Sequence, residues 1–457
     1  MAQAFFGGVH PHDMKAATNE KAIEQLAPPA VVVIPMSMHF GAPCTPLVKA
    51  GDHVKVGQKI GEFHGLGAPI HASVSGTVKV VEPRPYSMGG NITSVVIEND
   101  MQDEVSEEVQ APADPNALSV EEMVEIVKNA GIVGMGGATF PTHVKITSGI
   151  GKVNTVIING AECEPYITGD HRTMLERPEE IIGGAKFLAK MFGVDKVVIG
   201  VEDNKRNGID AMNKVIAEQK APVVVEPLRC RYPQGGEKQL CQAITGRQVP
   251  PGGLPADIGC AVFNINTTCA IYRALTTGMP VVRKIVTVSG SGVVEPKNLE
   301  CPIGTPVSSL LDACGGLKDG TYKLIAGGPM MGMAQYTADI SVAKGTGAIL
   351  AFCENEEKTV ENPQCIRCGK CVSVCPMHLE PLFMYQYASK GMVEELNDAH
   401  IMDCMECGAC SYICPARMHL THMFKTGKQL VKDKAAADRA AAEAKKKAEE
   451  AKEAAAK

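Results

Sequence analysis

The chain has no uninterrupted apolar run of about 18 residues, so no segment of it is expected to span a bilayer. It has no basic excess. The 45 Lys and Arg stand against 51 Asp and Glu, and a net charge of −6 argues against a general nucleic-acid binder. No secretory signal is expected in its opening stretch, since MAQAFFGGVHPHDMK is too short in apolar run and too rich in Gly and His. Without export, 17 cysteines do not read as a disulfide framework. Nine of them are scattered singly (Cys44, Cys163, Cys230, Cys241, Cys260, Cys269, Cys301, Cys314, Cys353), as expected of a reducing compartment. What the chain does have is size and apolar content. Its 457 residues are 45% hydrophobic, enough for several cores and more than one domain.

The other eight cysteines fall into two runs, Cys365-x-x-Cys368-x-x-Cys371-x-x-x-Cys375-Pro376 and Cys404-x-x-Cys407-x-x-Cys410-x-x-x-Cys414-Pro415. Three thiolates spaced by three residues let one tight loop wrap a 4Fe–4S cube. In two-cluster ferredoxins the fourth cysteine of such a run ligates the other cluster. The expected ligand sets are therefore Cys365, Cys368, Cys371 with Cys414, and Cys404, Cys407, Cys410 with Cys375. Structural zinc also uses C-x-x-C pairs, but it would leave the third and fourth cysteines of both runs unexplained. Two 4Fe–4S clusters imply one-electron transfer.

Five consecutive segments are expected. Residues 1–115 hold short β runs punctuated by glycine and then an acidic linker. The pattern V-K-x-G-D-x-V-x-x-G-Q-x-I followed by I-x-A-x-x-x-G-T-V resembles the β barrel-sandwich of biotinyl and lipoyl domains. Those carriers display a lysine on a hairpin, whereas Phe63-His64-Gly65-Leu66-Gly67-Ala68 has none, so a structural or docking role is expected. Residues 116–280 begin with a helix whose start, Ser119 with Glu122, has the pattern of a capping box. Short apolar strands then alternate with helices, which predicts a Rossmann-like parallel sheet. Residues 281–352 return to β structure with one helix, 353–425 hold the cysteine runs, and 426–457 form an Ala/Lys/Glu-rich helical tail.

Within the second segment, Gly131-Ile-Val-Gly134-Met-Gly136-Gly137-Ala-Thr-Phe140-Pro141-Thr-His-Val-Lys145 can bring backbone N–H groups close to a phosphate, with Lys145 adding charge. It departs from G-x-G-x-x-G because it follows a helix instead of a first strand. The next strand ends Asn159-Gly160-Ala161-Glu162-Cys163-Glu164-Pro165, a polar cluster where parallel sheets bind ligands. A third loop, Tyr232-Pro-Gln-Gly235-Gly236-Glu237-Lys238, also follows a strand. Singly, Phe140 reads as a core aromatic, Lys145 as a surface lysine and Glu164 as a helix N-cap group. Together the three loops point to a flavin site.

At these residues a resemblance becomes specific. The glycine loop, Asn-x-x-Glu-x-Glu-Pro and Tyr-x-x-Gly-x-Glu are similar to the flavin- and NADH-binding subunit of respiratory complex I. With Phe6-Gly7-Gly8-Val9-His10-Pro11, the sandwich and the double cysteine motif, residues 5 to about 425 resemble the RnfC family, the C subunits of Rnf ferredoxin:NAD oxidoreductases. The resemblance implies that FMN is held by Gly134, Gly136, Gly137, Lys145, Asn159, Tyr232, Gly235 and Asn266. It implies that Phe140, Glu164 and Glu237 face NAD(H), Phe140 by stacking. Three positions depart from the complex I pattern: Met135 stands for an arginine, Ala161 and Gly236 for acidic residues. Residues 285–335, with Val288-Ser289-Gly290 and Pro302-Ile303-Gly304-Thr305-Pro306-Val307, resemble the SLBB-like β-grasp module that follows the flavin domain.

The fold implied is thus a multidomain α/β chain: barrel-sandwich, Rossmann-like flavin/NADH domain, β-grasp domain, α-helical two-cluster ferredoxin domain and helical tail. The activity implied is electron passage between two 4Fe–4S clusters and NAD(H) through FMN, with hydride transfer falling to the flavin and to no side chain. Implied partners are the other subunits of a membrane-embedded Rnf-type complex and, through an iron–sulfur subunit, ferredoxin. Membrane contact would come only through those partners, at the cytoplasmic face of the inner membrane. A flavin/iron–sulfur reductase of the same architecture, such as a cobalamin reductase, would have identical cofactors. An electron-wire subunit with clusters but no flavin is the third reading.

Overall fold

The computed structural model describes residues 5–354 and 360–455, so residues 355–359, inside the segment 353–425 expected to carry the cysteine runs, lie outside the described residues. The described residues divide into two compact units, 10–354 and 360–455, and Phe5–Val9 belongs to the second of them.

The first unit contains three architectures. In the N-terminal one, strands Val31–Pro35, Asn91–Asn99, Gly76–Pro85 and His53–Val54 make one sheet, and Thr45–Pro46, Lys59–Glu62 and Ile70–His71 a second. Val32, Ile34, Ile60, Ile70, Val95 and Ile97 are wholly buried in their core. Alternation fixes which face is buried, and Gly76 marks where the chain passes too close for a side chain: its φ is +147° and a Cβ would lie 2.0 Å from the Glu98 carbonyl oxygen. Strands Lys59–Glu62 and Ile70–His71 pair antiparallel around the lysine-free hairpin.

The second architecture is a sheet in the order Val223–Leu228, Val197–Glu202, Thr155–Gly160, Cys260–Asn264, with every neighbour parallel. Val156, Ile157 and Ile158 are consecutive and all fully buried, as a strand covered on both faces requires. The preceding helix, Val120–Asn129, starts at Ser119 with both capping-box bonds made: Glu122 N–H to Ser119 Oγ at 3.2 Å and Ser119 N–H to Glu122 Oε2 at 2.8 Å. One element went unseen in the sequence. Helix Thr142–Gly149 lies between the glycine loop and the first strand, and its N-cap is Pro141 with no capping side chain, so nothing local announces it.

The third is a mixed sheet in the order Ile23–Gln25, Lys297–Pro302, Arg283–Ser289, Ala348–Cys353, Thr321–Ala326, Met333–Gln335. Its edge strand comes from the N-terminal stretch and runs parallel to Lys297–Pro302. Three largely exposed residues, IEQ, carry no periodicity to reveal it.

In the second unit, short helices Lys370–Ser373, Pro381–Ser389, Val393–Asp398 and Ala409–Ile413 surround the cysteines, and helix Leu420–Ala455 closes the chain. This last helix runs continuously through position 426. Its first turns bury Leu420, Phe424 and Val431 against Met384, Leu396 and Ile401. Phe5–Val9 belongs to this unit for a clear reason. Gly8 N–H donates to the Val374 carbonyl at 2.8 Å, Phe6 stacks on His378 at 4.6 Å, and a Cβ on Gly7 would lie 2.7 Å from Val374 O.

Candidate functional site

In the second unit the two cysteine runs have interchanged their fourth members. One small cavity is lined by Cys404, Cys407, Cys410 and Cys375, the other by Cys365, Cys368, Cys371 and Cys414. Each C-x-x-C loop turns through a left-handed residue, Arg367 (φ +55°) or Glu406 (φ +57°). That turn aims a backbone N–H at the first sulfur: Arg367 N–H at Cys365 Sγ, 3.3 Å, and Glu406 N–H at Cys404 Sγ, 3.4 Å. Leu379 N–H does the same for Cys375 at 3.4 Å. Among the described residues no three His, Cys, Asp or Glu converge closely enough for a single metal ion. Tetrahedral zinc needs its sulfurs about 2.3 Å from one centre, whereas a cube of four irons spreads its four thiolates over its corners. The donor set, four soft sulfurs and inward N–H groups around each cavity, fits the cube.

In the first unit the three loops singled out in the sequence meet at the C-terminal edge of the parallel sheet. Asn159 and Asn264 stand side by side in register at the ends of adjacent strands. Asn159 Nδ2 donates to Gly235 O at 2.9 Å and its Oδ1 accepts from Ala161 N–H at 3.1 Å, while Gly235 N–H reaches Cys163 Sγ at 3.3 Å. The Tyr232–Gly235 turn is thereby fastened to the strand end. The glycine loop approaches from the other side. Gly137 has open space where a Cβ would be, and Gly134 has only Phe140 backbone at 3.8 Å, so both leave room beside the main chain. Gly136 is glycine for a different reason: a Cβ there would lie 2.6 Å from Asn264 Nδ2.

Asn264 connects these parts. Its Oδ1 caps helix Ile265–Thr277 by accepting from Asn266 N–H at 2.8 Å, and its Nδ2 donates to Asp170 Oδ2 at 2.7 Å. Asn266 Nδ2 donates to the other Asp170 oxygen at 2.6 Å. Burial pushes the Asp170 carboxyl up to about 6, with Glu162 adding repulsion and Lys284 opposing it. Sequence reasoning named Asn266 but missed Asp170 and Asn264. An Asn before a helix is the signal for the cap; a buried carboxylate 94 residues away has none.

Lys145 and Glu237 form an ion pair at 2.6 Å, and Lys145 also donates to Val262 O at 3.0 Å. Both are partly exposed, so the pair itself adds little stability. Phe140 lies 6.0 Å from Phe40, ring to ring. Glu164 is more enclosed. Its Oε2 accepts from Met330 N–H at 3.1 Å, and the Tyr232 hydroxyl lies 3.5 Å from Oε1. Burial pushes its carboxyl up to about 7, with the N–H groups of Met330 and Met331 pulling the other way. The helix cap that Glu164 would suggest if taken singly is performed by Glu162. Glu162 accepts from Asp170 and His171 N–H, at 2.6 and 3.3 Å, at the start of helix Gly169–Glu176.

Open space beside two glycines, amide donors at the strand ends and a nearby ammonium suit a planar, phosphate-bearing cofactor such as FMN.

Comparison with known proteins agrees along the chain. A model of the RnfC barrel sandwich hybrid domain matches residues 3–102, the Nuo51 FMN-binding domain 127–273, the SLBB domain 285–334 and the 4Fe–4S dicluster domain 357–415. The chain is 45% identical over 401 residues to the C subunit of the Na(+)-translocating ferredoxin:NAD(+) oxidoreductase complex of Acetobacterium woodii, covering 87% of this chain and 90% of that protein. It is 43% identical over 402 residues to the C subunit of the proton-translocating ferredoxin:NAD(+) oxidoreductase complex of Clostridium ljungdahlii, covering 88% of each. Over 379 residues it is 41% identical to the C subunit of the ion-translocating oxidoreductase complex of Rhodobacter capsulatus, covering 82% of this chain and 73% of that one.

Proposed function

The chain belongs to the RnfC family, the C subunits of ion-translocating ferredoxin:NAD oxidoreductase complexes, and we propose that it passes electrons between two 4Fe–4S clusters and NAD(H) by way of FMN. The observation that carries this reading is the co-occurrence, in one chain, of two four-cysteine cavities and three convergent loops at a parallel sheet's C-terminal edge. Bound FMN exchanges electrons in pairs with a nicotinamide and singly with a cluster.

The chain's own residues bind and orient. Gly134 and Gly137 would let the main chain approach the flavin, while Asn159, Tyr232, Gly235 and Asn266 line its other side and Gly136 makes room for Asn264. Lys145, held by Glu237, supplies positive charge beside the loop, and Phe140 and Glu164 would meet the nucleotide. Cys365, Cys368, Cys371 and Cys414 would hold one cluster, and Cys404, Cys407, Cys410 and Cys375 the other.

No helix among the described residues is long and apolar enough to cross a membrane. The ion path of the complex would fall to other subunits. This chain would sit at the cytoplasmic face of the inner membrane, held by those subunits, and receive ferredoxin's electrons through an iron–sulfur partner.

The test is anaerobically purified protein assayed for NADH oxidation with ferricyanide, a one-electron acceptor. Glu164→Gln is expected to lower kcat/KM by a factor of tens while FMN and iron stay bound, since a lost hydrogen bond and its positioning cost about 1–3 kcal/mol. Gly136→Val is expected to release FMN and leave iron intact. A preparation replete in FMN and iron that does not oxidise NADH would overturn the assignment.

A further inference from the structure

The strand-end loop 161–167 is held by two buried ammonium groups. Lys205 Nζ donates to Ala161 O at 2.7 Å and pairs with Glu202 at 3.1 Å. Lys15 reaches in from 147 residues away: its Nζ donates to Glu162 O at 2.9 Å, to Glu164 O at 3.0 Å and to Ile167 O, with the Glu162 carboxylate 3.7 Å off. An ammonium has three N–H donors, and here each has a carbonyl. Lys15 is 4% exposed, so this is no surface contact.

The loop needs such support. Glu162 (φ +45°) and Tyr166 (φ +68°) are non-glycine residues in the left-handed region, each costing roughly 1–2 kcal/mol unless the surroundings impose it. The segment around Lys15 lies along the same loop. Asp13 O accepts from Tyr166 N–H at 2.8 Å, and the hydroxyls of Thr18 and Thr168 are 2.8 Å apart in the interior. In a planar trans peptide the carbonyl and the following N–H point opposite ways. By taking the carbonyls of Ala161 and Glu162, the two lysines turn the N–H groups of Glu162 and Cys163 to the loop's other side.

We propose that Lys15 is a positioning residue of the nucleotide site: its ammonium sets the peptide planes of loop 161–167 and with them the placement of Glu164. The stretch that follows the Phe-Gly-Gly-Val-His-Pro motif is then a working part of the site. This rests on reading that loop as the wall that faces NADH.

The experiment compares Lys15→Met, Lys15→Arg and a control, Lys21→Met, in the full anaerobic protein, well below the melting temperature of each. Lys21 donates to Pro296 O at the surface of the same segment, so its loss is expected to change nothing. Lys15→Met is expected to raise KM for NADH tenfold or more with kcat within about threefold, and to alter the visible circular dichroism of bound FMN, with iron unchanged. Lys15→Arg keeps the charge but brings a larger group into a closed site, so a folded protein with an intermediate KM is expected. A lowered melting temperature with wild-type KM and flavin dichroism in the folded variants would overturn the proposal, because that is the mark of a merely structural lysine. Should Lys15→Met not fold, a wild-type KM in Lys15→Arg would overturn it equally. If Glu164→Gln also leaves NADH oxidation untouched, the reading of the loop fails; if Glu164→Gln impairs it and both Lys15 variants do not, only this inference fails.

Discussion

The two cysteine cavities have the same donors, the same spacing and the same backbone turn, and they differ in what surrounds them. Where one C-x-x-C loop carries Arg367, the other carries Glu406 in the same left-handed conformation. Where one has Lys370 beside its third cysteine, the other has Ala409, fully buried. Cys365 and Cys368 are exposed, whereas Cys407 and Cys375 are buried, and the closed cavity is walled by Leu379, Pro381, Met384 and Phe424. Glu406, which lines it, is paired with Lys428 at 2.7 Å. Spacing thus fixes which cofactor each cavity suits, and the residues between the cysteines fix how it behaves. One site is open, with two cations between its cysteines, and the other is closed.

The largest expected effect tests whether the two cavities are assembled as described. Cys375→Ala should remove the closed cluster, dropping iron from about eight to about four, although Cys375 belongs in sequence to the other run. Cys414→Ala should remove the open one. Iron analysis with electron paramagnetic resonance of the reduced protein distinguishes the two; loss of the sequence-adjacent cluster in either variant would break the interchange. Next in size is lability. Under anaerobic incubation with a chelator, the four irons behind exposed Cys365 and Cys368 should leave at least about tenfold faster than those behind Cys407 and Cys410, because ligand exchange needs access. Equal rates would mean that the closed cavity opens as easily as the exposed one.

The cavities were legible because their information is local: each ligand lies within ten residues of its neighbours, and only the interchange of Cys375 and Cys414 needed knowledge from outside the spacing. The parallel sheet was legible too, since three successive fully buried residues in Thr155–Gly160 write an apolar run into the sequence. The strand-end site was legible only in outline. Its glycines and asparagines announced themselves, but what they do depends on partners far along the chain: Gly136 yields to Asn264, Asn266 and Asn264 hold Asp170, and Glu164 is received by a turn 166 residues on, at Met330. Lys15 was invisible for the same reason. A lone lysine in a polar stretch reads as solvated, and only the fold shows it buried.

A third test concerns potential, where two effects oppose. Reduction adds negative charge, so burial in the closed cavity should lower its potential, by several kcal/mol if uncompensated. N–H groups aimed at the cluster sulfurs favour the added charge at about 1 kcal/mol each, and both cavities have them, among them Glu406 and Leu379 at Cys404 and Cys375 in the closed one and Arg367 at Cys365 in the open one. Desolvation is the larger, and a remainder of about 1–2 kcal/mol corresponds to roughly 40–80 mV. Redox titration followed by paramagnetic resonance should therefore find the open cluster at the higher potential; the reverse order would mean that the sulfur hydrogen bonds outweigh burial.

The smallest expected effect isolates the charges that distinguish the pair. Arg367→Gln and Lys370→Gln should each lower the open cluster's potential, because each removes a cation that favours the reduced form. Both side chains are exposed, so solvent screening limits each to about 0.5–1 kcal/mol, or roughly 20–40 mV. The shift should shrink as salt rises toward 1 M, where the screening length falls to about 3 Å. The closed cluster supplies the internal control, since neither residue lines its cavity. Equal movement of both potentials would show that the field of these cations is not confined to one site, and the charge contrast between the cavities would then have no functional consequence of its own.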